Sequence, residues 1–279
     1  MADHGALSDS IIGIIDRLPP MPETIRHLRR MAANPNITFK ALLPVLKKDP
    51  AICADLLHMA NSAYYGINHP VETLDEAVRY FGVQQLINYI SISFSDKAIR
   101  EFFTNISNLS DYFTHSRRIS VASTELAKAA NLGKHEQDVV AIAGLLHDLG
   151  RLIIIMASNK RIFKTTNAQS QQEIEAIVND EKEVLGIDHC IIGKKICAKW
   201  KFTELLQTAV EKHHTPLNGG VCKQAAFILL GHFISMKTLS DELLLSVFDE
   251  SILDQLGLNG DMLIAAHRSF DEVWAEVSG

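Results

Sequence analysis

Apolar residues recur at three- and four-residue spacing along almost the whole chain, between polar caps, and the strict alternation of a half-buried strand is nearly absent. This pattern predicts an all-α protein. Leu18-Pro-Pro-Met-Pro22 is stiff and extended, because each proline fixes its own φ and turns its predecessor away from helix. A helix is expected to start near Pro22 and to end at Asn34-Pro-Asn36. Thr38 can cap the next one, which Pro44 must shorten or kink. Asp49-Pro50, an N-cap acid before a proline at the first helical position, restarts the chain into a helix over Ala51 to Asn61. Thr73-Leu-Asp-Glu76 has the form of a capping box before Ala77, Val78 and Phe81. Gly82 breaks that helix, and another runs toward Ala98.

The polar stretch Thr104 to Ser110 is rich in cap and turn formers and lies between two periodic segments. It divides the chain into an N-terminal helical subdomain, 1–105, and a second helical subdomain, 106–279. From Asp111 a long helix is expected to reach Asn131-Leu-Gly133, with His115, Ile119, Ala122 and Leu126 on its inner face. The next, from about Glu136 to Leu149, ends at Gly150 just after His147-Asp148. A further helix ends near Gly186, and Asp188 is placed to cap Cys190 to Trp200, which His189 opens. Thr203 caps a helix on which Leu206, Val210 and His213 share a face, before Thr215-Pro-Leu-Asn-Gly-Gly220 turns the chain. Two more helices are expected to fill the rest.

Composition fits this picture, with 47% hydrophobic and 22% charged residues, as in an ordinary globular chain. A net charge of −6 gives no overall field for a polyanion, so neither DNA nor an acidic membrane is an expected partner. The strongly apolar runs Leu152 to Ala157 and Ala225 to Met236 fall short of the roughly 20 residues that cross a bilayer. Asp3, His4 and Asp9 precede the first apolar residues, which is not the order of a secretory signal, and a cytoplasmic chain is expected. Cys53, Cys190, Cys197 and Cys222 form no CxxC pair and read as small core residues.

Five of the 12 histidines stand at pointed places: His115, His147, His189, His213 and His214. Imidazole is the commonest metal ligand, and with Asp148 these side chains form a donor set for Fe, Mn or Zn. Each alone reads more readily as a hydrogen-bonded core residue, whereas the five together read as a site. Arg151, just beyond His147-Asp148, can offset the charge of a helix end. Asn61-Ser-Ala-Tyr-Tyr-Gly66 reads first as a helix end with packed aromatics, and second as a recognition surface.

Leu18-Pro-Pro-Met-Pro22, Lys48-Asp-Pro-Ala51 and Ala60-Asn-Ser-Ala-Tyr-Tyr-Gly66, in that order, resemble the HDOD domain, a bacterial signalling module related to the HD superfamily. Gly144-Leu-Leu-His-Asp-Leu-Gly-Arg151 is similar to the HD motif, Leu185-Gly-Ile-Asp-His189 to a later histidine element and Lys212-His-His-Thr-Pro216 to the paired histidines. The resemblance covers about residues 15–240 and implies an N-terminal helical subdomain with an HD-like bundle after it. It also implies a metal set of His115, His147, Asp148, His189, His213 and His214, with Asp148 as the catalytic group of an active member and Arg151 on phosphate. The distal aspartate of active HD phosphohydrolases is missing, since no Asp or Glu occurs between Glu211 and Asp241. Gly231 and His232 stand near its place, and His232 is the candidate substitute. The Gly-Tyr-Pro turn of the branch that hydrolyses cyclic dinucleotides is replaced by Thr215 to Gly220.

Two functions follow from the resemblance. One is a non-catalytic signal-transduction module that acts on other signalling proteins and keeps a metal or ligand pocket. The other is a metal-dependent phosphohydrolase of a nucleotide or cyclic dinucleotide.

Overall fold

The computed structural model describes residues 4–278 except 33, 35, 48–49, 62–68, 107–108, 159–170, 237–239 and 247–248. Every regular element among the described residues is a helix. The chain forms two compact units, one of Pro19–Phe102 and the other of Met1–Leu18 together with Phe103–Gly279. The expected division at 105/106 lies close to the second junction. The first 18 residues, expected with the N-terminal subdomain, pack with the C-terminal unit.

That first segment is α1 (His4–Arg17). Ile11, Ile14 and Ile15 are buried, at the spacing that puts one stripe on one helix face.

The smaller unit contains α2 (Glu23–Ala32), α3 (Phe39–Leu46), α4 (Pro50–Ala60) and α5 (Leu74–Phe102). Thr38 sits at the N-cap of α3 but its side chain makes no capping bond, and Pro44 lies inside that eight-residue helix. Thr73 Oγ1 accepts from the Glu76 amide at 3.2 Å, whereas the Glu76 carboxylate accepts from Glu72 N at 3.4 Å. The capping box therefore closes one residue earlier than its pattern predicts. Gly82 takes φ 72° and ψ 165°, non-helical values open to glycine, and breaks α5 into two helical stretches there, as expected. Asn61 accepts from Val71 N at 2.8 Å and donates to Leu57 O at 2.8 Å and Val71 O at 2.9 Å, tying the end of α4 to the segment before α5. The rest of the tyrosine segment, 62–66, lies outside the described residues, as do Lys48 and Asp49.

The larger unit continues with α6 (Leu109–Ala129), α7 (Lys134–Leu146), α8 (Leu149–Ala157), α9 (Gln171–Leu185), α10 (His189–Lys199) and α11 (Glu204–Lys212). It ends with α12 (Lys223–Ile234), α13 (Asp241–Ser246), α14 (Glu250–Leu256) and α15 (Gly260–Ser278). Four helices thus follow the Thr215–Gly220 turn where two were expected. Asp249 caps α14 through Ser251 N and Gly257 closes it at φ 78°, splitting an apolar pattern that reads as one helix. The core of this unit is built from Ala122 and Leu126 of α6, Phe227, Leu230 and Phe233 of α12, and Leu263 and Phe270 of α15. Glu136–Ala157 has the length and composition of a membrane span, which counting uninterrupted apolar runs overlooks. It is two helices meeting at His147-Asp148, and most of its apolar stretch is buried inside the protein.

Candidate metal centre

His147 and Asp148 form the joint between α7 and α8: His147 caps the first and Asp148 stands at the N-cap of the second. Gly150, expected to end the helix, lies inside α8. A Cβ there would sit 2.0 Å from His189 O and 2.9 Å from Gly193 N, so the missing side chain is what lets α8 lie against α10. That approach brings Asp148 to His189. Gly231 does the same for α12, where a Cβ would meet Ser123 Oγ at 2.4 Å and Ser123 N at 3.1 Å. The next residue, His232, is thereby set against α6 and α7.

Asp188 fixes the start of α10 by accepting from Ile191 N at 2.9 Å, which turns His189 inward. Thr203 caps α11 through Leu206 N, and at its far end His213 and His214 follow Lys212 into the interior. His115 projects from α6 and its side chain remains 28% exposed.

The five predicted histidines and Asp148 come together, and His232 joins them. Asp148 lies between two groups: Oδ2 is 3.6 Å from His115 Nε2 and 3.5 Å from His147 Nε2, and Oδ1 is 3.4 Å from His189 Nε2 and 3.8 Å from His213 Nε2. Donor atoms of His115, His147 and His232 lie within 4.8 Å of one another, as do those of His189, Cys190, His213 and His214. Arg151 Nη1 is 3.6 Å from Asp148 Oδ2, so the predicted phosphate ligand is turned to the carboxylate and buried with it.

Backbone and carboxylate acceptors fix which nitrogen of each ring carries the proton. His147 Nδ1 lies 2.7 Å from Gly144 O and His213 Nδ1 lies 2.6 Å from Val210 O; a carbonyl can only accept, so both Nδ1 atoms donate. His189 Nδ1 donates to Glu181 Oε2 at 2.6 Å, and the same oxygen accepts from the His189 amide at 2.8 Å. In the neutral rings, all three Nε2 atoms then present lone pairs to the interior. His189 Nε2 and His213 Nε2 face each other at 3.4 Å. The Nε2 atoms of His115, His147 and His232 and Oδ1 of Asp148 are buried with no hydrogen-bond partner.

Burial pushes the His115 pKa down to about 4, helped by the charge of His147 and opposed by Asp148. Burial, then neighbouring histidines, also lowers His213, His214 and His232 well below the ordinary value. For Asp148, burial acts to raise the pKa, but His147 and Arg151 outweigh it and hold the carboxyl well below the usual range. Burial pushes the Cys190 thiol up, aided by Asp188 and Asp148. The result is a carboxylate beside four imidazoles, His115, His213, His214 and His232, whose charged forms burial disfavours.

This set fits a divalent cation. Lone pairs directed at one another are repulsive unless something positive lies between them, and rings held from behind by carbonyls or a carboxylate are the usual support of metal-bound histidine. Asp148 would supply the charge, with His147 and His115 on one side and His189, His213 and His214 on the other.

Glu181 was not among the expected site residues, and His232 was expected only as a candidate in place of the absent aspartate. Glu181 had a signal: it falls on the apolar stripe with Val178 and Leu185, an inward position for an acid. His232 had a weaker one, the absence of any nearby acid. Cys190 had only its place beside His189.

A model of the HDOD domain matches residues 18–216. The chain belongs to the HDOD domain family. An uncharacterised protein of Treponema pallidum (strain Nichols) is 27% identical to this HDOD chain over 211 residues, 75% of it but 40% of the relative, so the chain spans about two fifths of that relative's length. Among solved structures, the HDOD chain is similar to a Shewanella amazonensis SB2B protein provisionally described as a phosphohydrolase, with TM-score 0.68, 24% identity and coverage of 98% and 97% of the two chains. An HDOD domain protein of unknown function from Geobacter sulfurreducens gives TM-score 0.66 at 19% identity, covering 95% and 96%. A Marinobacter aquaeolei VT8 protein provisionally described as acting in signal transduction gives 0.64 at 19% identity, covering 99% of this chain and 67% of the other. At these identities the likeness is one of fold.

Proposed function

We propose that this HDOD chain is a signal-transduction module that holds a divalent cation in its histidine pocket and acts on other signalling proteins without turning over a substrate. The observation that carries this reading is His232. It stands inside the cluster, 4.9 Å from His147 and 5.2 Å from His115 between ring centroids, in the region where an active HD enzyme would need a further carboxylate. Six imidazoles and one carboxylate make a binding set with little charge to compensate a doubly positive ion and an attacking hydroxide together. Asp148 adds to the case: a carboxyl held well below its usual range is a weak base for a proton in transfer at neutral pH. Arg151, engaged with Asp148, is not turned to an incoming phosphate.

The competing reading, a phosphohydrolase of a nucleotide or cyclic dinucleotide, is favoured by the fit of the pocket to a cation. When bound, such a cation supplies Lewis acidity and lowers the pKa of a coordinated water. The chain's own residues would then place it: His189 held by Glu181, His147 by Gly144 O and His213 by Val210 O.

Elemental analysis of protein purified without added metal, compared with His147→Ala, tests the pocket. Turnover of cyclic dinucleotides and simple phosphodiesters with Mn or Fe supplied tests the chemistry. Bound metal that is lost in His147→Ala, with no turnover, is the expected result. Robust hydrolysis abolished in His147→Ala overturns the regulatory reading in favour of the enzyme, and metal-free wild-type protein overturns the cation site.

A further inference from the structure

The seven donors around Asp148 are not alike. One half, His115, His147 and His232, is imidazole only, whereas the other combines three imidazoles with the buried thiol of Cys190. Cys190 Sγ lies 3.6 Å from His189 Nε2, which is in turn 3.1 Å from His214 Nε2 and 3.4 Å from His213 Nε2. A tetrahedral zinc with Zn–N bonds near 2.05 Å and a Zn–S bond near 2.3 Å holds its ligands at fixed separations: about 3.3 Å between nitrogens and about 3.6 Å between nitrogen and sulfur. The three measured distances agree with these to about 0.2 Å. His214 Nε2 and the Cys190 thiol can each donate to His189 Nε2, but the His189–His213 approach has no such donor when both neutral rings give their protons to Glu181 and Val210 O.

Cys190 is carried to this place by the fold. The Asp188 cap starts α10, and the contact with α8 at Gly150 presses its first turn, His189 and Cys190, into the interior. A cysteine there satisfies packing as any small apolar residue would, but a packed thiol need not lie within reach of three ring nitrogens.

We propose that His189, Cys190, His213 and His214 form a four-donor zinc site in which Cys190 is the thiolate ligand. The proposal rests on the reading of the pocket as a cation site and sharpens it, since a thiolate among imidazoles favours zinc over the oxygen-preferring Mn or Mg. Four protein donors also leave this half closed, as in structural zinc sites, which agrees with binding without turnover.

The test uses the full chain loaded with Zn or Co alone. Zinc-edge X-ray absorption of the wild-type protein is expected to contain one sulfur at about 2.3 Å, and cobalt-loaded protein to show thiolate-to-metal charge transfer in the near ultraviolet. Cys190→Ser should abolish the charge transfer and weaken zinc binding by more than the roughly 10–100-fold that loss of a merely supporting group costs. Cys222→Ser should change neither. Because the wild-type absorption spectrum needs no variant, a Cys190→Ser protein that fails to fold leaves the proposal decidable. Zinc held by nitrogen and oxygen alone overturns the role of Cys190 and leaves the cation pocket standing. Failure to bind either metal overturns both.

Discussion

Burial sets the protonation of the pocket before any ligand arrives. His115, its pKa pushed down to about 4, and His213, His214 and His232, also lowered, are neutral in the folded chain at pH values where an unfolded chain would protonate them. Below the unfolded value of about 6.5 the unfolded state binds more protons, so stability that is complete above that pH is lost as pH falls. The metal-free protein is expected to lose Tm steadily between about pH 6.5 and 4, in thermal unfolding followed by circular dichroism; a flat profile over that window contradicts neutral buried rings. Asp148 acts with the same sign in a lower window, its contribution fading once pH drops below about 3.9, the unfolded carboxyl value. Glu181 offers a separate test. Glu181→Gln keeps the size of the side chain but removes the charge behind His189, and should weaken metal binding about 10–100-fold by titration while the helical spectrum stays intact.

Among the elements, the contact between α8 and α10 decides whether a site exists. Gly150→Ala sets a methyl group against the His189 carbonyl and the Gly193 amide, backbone atoms that cannot turn aside, so the helices must part. A loss of about 3 kcal/mol in urea unfolding is expected, together with loss of bound metal. Asp188→Ala removes the cap of α10, and with it a partly exposed ion pair to Lys182, and should cost about 1 kcal/mol by the same measurement. These elements were largely readable in advance, because Asp188, Thr203 and the apolar stripes of α6 and α11 are local signals, written within one or two turns of the chain. What local pattern could not convey was Gly150 as a crossing point rather than a helix end. A glycine that stops a helix and one that admits a neighbour look alike until the neighbour is placed. Glu181 and Cys190 escaped for the same reason, since their roles depend on residues far away in sequence. The small unit was readable through its prolines and caps, and the capping box erred by a single residue because Glu76 could reach either of two amides.

At the scale of the molecule, the chain leaves the larger unit at Leu18 and returns to it at Phe103. Removing residues 1–17 should therefore lower the Tm of the larger unit by stripping Ile11, Ile14 and Ile15 from its core; unfolding unchanged by the truncation contradicts the assignment of α1 to that unit. The same arrangement dictates an order of events at the ribosome. α1, which packs against α8 and α9, emerges well before them, while the whole of Pro19–Phe102, a compact unit of its own, is made in the interval. The smaller unit can finish folding during synthesis, whereas α1 is made first and docks late, with a loop-closure cost set by everything between. Until that happens its isoleucines stay uncovered, which makes the opening helix the natural point for a chaperone to take hold.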